Sequence, residues 1–75
     1  MSNPDGISPI CIRINGEPRE VPPGLTIRGL LEHLQVDPAR VAVELNRKLA
    51  RKSEWDTAVV EAGAEIEIVE FVGGG

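Results

Sequence analysis

Isoleucines at positions 10, 12 and 14 alternate with Cys11 and Arg13, the period-two pattern of a half-buried strand. Asn15-Gly16 follows at once, and both residues tolerate positive φ, which predicts a tight hairpin. A returning strand then runs from Glu17 to Val21. Pro18 has no amide proton to give to a ladder, so that strand belongs at an edge or carries a bulge. Pro22-Pro23-Gly24 breaks the pattern, and the Thr26 hydroxyl is placed to cap a helix. Ile27, Leu30, Leu31 and Leu34 fall at i, i+3, i+4 and i+7, a single apolar stripe on that helix. Gly29 inside it costs about 1 kcal/mol relative to alanine, which suggests close packing against another backbone. Asp37-Pro38 disfavours continuation, so the helix should end near Gln35.

A third strand is predicted where Val41, Val43 and Leu45 alternate with Ala42 and Glu44. Asn46-Arg47 makes a weaker turn into a short edge strand at 48–50, and Ser53-Glu54-Trp55 reads as a helical turn. Ala62-Gly63 supplies a bend, and the last strand runs from Glu65 to Val72. One helix stripe and one sheet face bury each other only when packed together. The order therefore predicts an α+β domain of β-grasp, or ubiquitin-like, type. A mixed sheet of four to five strands packs on one main helix, with the first and last strands parallel at its centre. The expected organisation is a flexible leader at 1–9, the β-grasp domain at 10–72 and a flexible glycine tail at 73–75.

Side-chain parity on the last strand shapes the functional reading. Ile66, Ile68, Glu70 and Val72 share one face; Glu67, Val69 and Phe71 share the other. The isoleucines suit the helix stripe, which leaves Val69 and Phe71 on the open face, just before Val72 and the tail. Two readings stand: Phe71 folds over the end of the sheet, or Val69, Phe71 and Val72 form a patch that docks a partner. Gly73, Gly74 and Gly75 have no side chains and span roughly 10 Å when extended. They read either as a frayed end or as a thin tether that carries the Gly75 carboxylate into a remote active site.

Composition narrows the classes. The chain has 75 residues, with 41% hydrophobic positions and only one Trp and one Phe, so its core must be aliphatic. One cysteine excludes an internal disulfide and fits a reducing compartment such as the cytoplasm. No apolar run is long enough to span a bilayer, so no membrane role is expected. A net charge of −4 argues against nucleic-acid binding. From Ser53 onward there is no Lys or Arg but there are six acids: Glu54, Asp56, Glu61, Glu65, Glu67 and Glu70. This serves either solubility or steering onto a basic partner surface.

A terminal carboxylate has a reference pKa of about 3.3–3.7 and is a poor electrophile at neutral pH until it is activated, most simply as an acyl-adenylate. The chain has no Gly-x-x-x-x-Gly-Lys loop and no basic cluster near the tail to catalyse that step. It is expected to be the substrate rather than the enzyme, with no catalytic residues of its own. Cys11 has no second cysteine beside it, and His33, off the apolar stripe, has no ligand spacing, so neither a redox nor a metal site is expected. Trp55 reads as a cap over the end of the core, and Arg47, Lys48, Arg51 and Lys52 as solvated turn residues.

Three segments carry a family resemblance: Val41-Ala-Val-Glu-Leu-Asn46, Lys52-Ser-Glu-Trp55, and Glu65-Ile-Glu-Ile-Val-Glu-Phe-Val-Gly-Gly-Gly75, with Asn15-Gly16 in support. Together they resemble the ThiS family, the sulfur carriers of thiamine biosynthesis, over roughly Ile10 to Gly75. Asn46-Arg47 stands where family members often have Asn-Gly, and Leu49-Ala50-Arg51 where they have Val-Pro-Arg. The turn geometry there is therefore left open.

The resemblance implies that a ThiF- or MoeB-like adenylyltransferase activates Gly75 with ATP and magnesium, with no cofactor bound by the carrier itself. A sulfurtransferase or cysteine desulfurase then supplies persulfide sulfur. The resulting thiocarboxylate delivers sulfur within a ThiG-like thiazole synthase. Related carriers serving molybdopterin, cysteine or tRNA thiolation, and ubiquitin-like modifiers, remain alternatives, as does a plain interaction module with an inert tail.

Overall fold

The computed structural model describes residues 8–71. The expected leader at 1–9, apart from Ser8 and Pro9, and the expected tail at 73–75 with Val72 lie outside those residues. The strands are β1 (Ile10–Ile14), β2 (Glu17–Val21), β3 (Val41–Leu45), β4 (Lys48–Ala50) and β5 (Glu65–Glu70). They form one sheet in the order β2-β1-β5-β3-β4. β1 and β5 run parallel at its centre and the other pairings are antiparallel, as the element order predicted. β2 is an edge strand, which gives Pro18 its place.

One helix, α1 (Ile27–His33), covers one face of the sheet. Thr26 caps it, accepting a hydrogen bond of 3.1 Å from the Gly29 amide. Ile27, Leu30 and Leu31 are fully buried, each such side chain worth about 1.5–3 kcal/mol. They meet Ile12, Val21, Val41, Val43 and Ile66 from the sheet, with Leu34 and Ile68 half-buried beside them. Gly29 does not touch a foreign backbone. A Cβ there would meet Leu25 Cδ2 at 3.4 Å and Thr26 Oγ1 at 3.5 Å, so the expected close approach of another chain segment is absent.

Two short 3-10 turns complete the chain. Lys52–Glu54 matches the predicted helical turn, while Pro38–Arg40 was not foreseen and is capped by Asp37 Oδ1 on the Ala39 amide at 2.9 Å. Trp55 closes the end of the core, 1% exposed, with its indole N–H donating to the Ala50 carbonyl at 3.0 Å. The guanidinium of Arg28 and the ammonium of Lys52 stand over its ring. The connection from Trp55 to β5 buries Val60 and Ala64, and Val59 bridges to Thr26.

Candidate functional site

The site is built on β5 because that strand leads to the glycines. Its middle position in the sheet gives it neighbours on both sides. On the β3 side, Ala42 pairs with Val69 and Glu44 with Glu67. The Phe71 amide donates to the Arg40 carbonyl at 2.8 Å, so the 3-10 turn at Pro38–Arg40 holds the last described residue. On the β1 side, the Arg13 amide donates to the Ala64 carbonyl at 2.9 Å and the Asn15 amide to the Ile66 carbonyl at 2.8 Å.

Parity on β5 falls as the alternation predicted. Ile66 is buried under the helix and Ile68 is half-buried, whereas Val69 is 56% and Phe71 53% exposed. Strand regularity ends at Glu70, and Phe71 borders a shallow depression with Asp37, Ala39 and Arg40. Val72, Gly73, Gly74 and Gly75 lie outside the described residues.

The open face, which the helix does not cover, has two parts. Ala42, Val69 and Phe71 make an apolar strip leading to the tail. Leu49 on β4 lies on the same face one row away, opposite Glu44, and is the most exposed large hydrophobic residue at 69%. Sequence reading missed Leu49 as a surface residue of this face. The signal was present, since Ala50 turns inward and the alternation sends Leu49 outward. The other part is charged: Arg13, Glu44, Arg47, Glu65 and Glu67 line a hollow at the hairpin end. Arg47 pairs with Glu65 at 3.3 Å, whereas Glu44 and Glu67 oppose each other across the strands, an arrangement of like charges that costs stability.

The residues set aside on sequence grounds lie outside the Val69–Phe71 strip. Cys11 is exposed near the far end of β1, and His33 is exposed on the helix. Lys48 and Arg51 are exposed, Lys52 lies over Trp55, and Arg47 is the only one of the four turn bases in an ion pair among the described residues. No group of three or more His, Cys, Asp or Glu side chains able to hold a metal occurs among the described residues. No helix among them is long and apolar enough to cross a membrane.

A five-stranded mixed sheet on one helix, with a central strand running out past an apolar open face, defines a β-grasp domain of ubiquitin-like type. A crystal structure of the thiamine biosynthesis protein ThiS from Geobacter metallireducens superposes with a TM-score of 0.78 at 32% identity, covering 88% of this chain and all of that one. The ThiS family model matches residues 12–75, and the chain belongs to the ThiS family. Two curated relatives are thiazole synthases. That of Magnetococcus marinus is 39% identical over 64 residues, 85% of this chain and 20% of the relative. That of Paramagnetospirillum magneticum is 44% identical over 62 residues, 83% of this chain and 19% of the relative. The chain thus spans about a fifth of the length of these two relatives.

Proposed function

We propose that this protein is the sulfur carrier of a thiazole-forming system and that the carboxyl group of Gly75 is the group that carries the sulfur. The observation that carries this reading is that a domain similar to this chain makes up about a fifth of two proteins named thiazole synthase. Joining the two in one polypeptide makes sense when a carrier must meet its synthase in every cycle. Membership of the ThiS family supports the same conclusion.

The chemistry proceeds in four steps. The Gly75 carboxylate attacks the α-phosphorus of ATP, bound with magnesium by a ThiF- or MoeB-like adenylyltransferase, and pyrophosphate leaves. The terminal sulfur of a persulfide, supplied by a sulfurtransferase or cysteine desulfurase, attacks the acyl carbon and displaces AMP. A thiol then reduces the acyl–S–S linkage, leaving the thiocarboxylate and an oxidised disulfide. Within a ThiG-like synthase the thiocarboxylate sulfur attacks an electrophilic carbon of the thiazole precursor and forms the new C–S bond. Water then cleaves the acyl–S bond, leaving the sulfur on the precursor as a thiol and regenerating the Gly75 carboxylate. The carrier contributes presentation rather than catalysis. Val69, Phe71 and Val72 dock on the partner, the acids of the open face steer it onto basic surfaces, and Gly73 and Gly74 pass through a narrow channel.

Intact-mass measurement after incubation with ATP, a ThiF-type adenylyltransferase and a persulfide donor tests the proposal. Replacement of one oxygen by sulfur is expected in the full chain and not in a chain lacking Gly74 and Gly75. Recovery instead as an isopeptide conjugate to lysine would turn the reading toward a modifier.

A further inference from the structure

β1 ends before β5 does. After Ile14 the chain turns away at Asn15 and Gly16, both at positive φ (51° and 84°), and returns as β2. The parallel ladder has by then used the Asn15 amide, which donates to Ile66. Were β1 to continue, the next rung would fall on Ile68. Its N–H would donate to the main-chain carbonyl of residue 15, and its carbonyl would accept from the amide of residue 17. The hairpin removes both partners.

The Asn15 side chain supplies replacements for both. The Ile68 amide donates to Asn15 Oδ1 at 2.8 Å, and Asn15 Nδ2 donates to the Ile68 carbonyl at 3.2 Å. A carboxamide is a peptide group without its neighbours, so it can stand in for a rung. Aspartate would offer only the acceptor, glutamine would overshoot by a methylene, and asparagine alone of the three both tolerates positive φ and brings a donor. Asn46, at the first position of the other hairpin, makes half of the same arrangement: its Oδ1 accepts from the Glu65 amide at 2.9 Å. The two turn asparagines therefore grip β5 from opposite sides, Asn46 at its start and Asn15 three residues further on.

We propose that Asn15 is a positioning residue for the chemistry at Gly75: its carboxamide replaces the missing rung of the β1–β5 ladder and holds β5 on course to Phe71. The proposal rests on Gly75 being the reacting group. Beyond Ile66 the β1 backbone no longer accompanies β5, so the carboxamide is what restrains this side while the Arg40 carbonyl restrains the other at Phe71. The β3 ladder keeps Val69 and Phe71 paired without Asn15, so docking through them survives its loss. Held on the second edge as well, β5 hands on the chain over a narrower range of directions, and that restraint is lost with the carboxamide. The signature is therefore a fall in kcat at unchanged KM.

Asn15→Gly keeps the positive φ and removes only the carboxamide; Asn15→Asp keeps the acceptor alone. Thr26→Ala, on the helix cap and remote from β5, serves as a control for lost stability. The readouts are Ile68 amide exchange by NMR and ATP–pyrophosphate exchange by a ThiF-type adenylyltransferase, using the full chain well below its melting temperature. Asn15→Gly should raise Ile68 exchange roughly tenfold relative to other β5 amides and lower kcat roughly three- to tenfold without changing KM, with Asn15→Asp between it and the wild type. Unchanged Ile68 exchange, or a kcat loss equal to that of Thr26→Ala, would overturn the proposal. If the wild-type carrier supports no pyrophosphate exchange, the Gly75 reading itself fails. If wild type and Asn15→Gly exchange equally well, only the role of Asn15 does.

Discussion

Phe71→Ala removes the last described side chain before the tail, and its exposure sets the size of the effect. Full burial of a phenylalanine is worth about 1.5–3 kcal/mol. Phe71 is 53% exposed in the free domain, so a partner can bury about half of it. The expected loss of binding is then about 0.8–1.6 kcal/mol, or roughly a 4- to 15-fold weaker Kd. Val69→Ala, at 56% exposure, adds roughly fourfold by the same reasoning. The backbone bond from Phe71 to Arg40 does not involve the ring, so the strand end stays in place.

Calorimetric titration of each variant against a ThiF-type adenylyltransferase, well below the melting temperature, gives the Kd directly. Val59→Ala is the matched control: Val59 is 49% exposed but sits beside Thr26, away from the open face. Unchanged affinity in the Val69→Ala, Phe71→Ala double variant would refute the docking role. So would an equal loss in Val59→Ala.

Two further predictions concern stability. Arg47 holds φ 70° in the turn after β3, a conformation that costs a side-chain-bearing residue about 1–2 kcal/mol and glycine little. After allowing for backbone entropy and the exposed Arg47–Glu65 pair, Arg47→Gly should stabilise the domain by about 0.5 kcal/mol and raise its melting temperature by roughly 2–4 °C; a fall would contradict this account of the turn. Trp55→Phe leaves the Ala50 carbonyl without its donor and opens space under Arg28 and Lys52, which should cost about 1.5–3 kcal/mol and lower the melting temperature by roughly 6–24 °C. A calorimetric melt within a degree or two of wild type would show that Trp55 is not a keystone of the core.

The strands and the helix of this fold were legible mainly because their patterns repeat, and the Asn15-Gly16 hairpin and the Thr26 cap because their residue types demand them. Ile10, Ile12 and Ile14 repeat with the period of a strand, the Ile27–Leu34 stripe with the period of a helix, and Ile66–Phe71 with a parity that places Val69 and Phe71 outside. The turn at Asn46-Arg47 keeps the positive-φ geometry that the family's Asn-Gly would adopt, although arginine hid it from a reading by residue type. The buried Val60 and Ala64 and the half-buried Ala58 follow no period, so the pattern of small apolar residues there does not single them out. Asp37-Pro38 signals only a helix stop in the sequence, yet the last carbonyl of the 3-10 turn at Pro38–Arg40 holds Phe71. The reach of Asn15 to Ile68 spans 53 positions in sequence, and nothing local to an Asn-Gly pair announces it. The exposure of Val69 and Phe71 was therefore readable in advance, while the restraints on β5 from Asn15 and Arg40 were visible only once the chain was folded.

Whether one atom of the Gly75 carboxyl group carries the sulfur is decided by tandem mass spectrometry of the C-terminal peptide. The chain would be isolated after reaction with ATP, the adenylyltransferase and a persulfide donor, or from cells supplied with sulfur. The account predicts that one oxygen is exchanged for sulfur, that fragmentation assigns the exchange to Gly75, and that it disappears when ATP is omitted. An unmodified carboxylate with all partners active, or sulfur found on Cys11 instead, would contradict it.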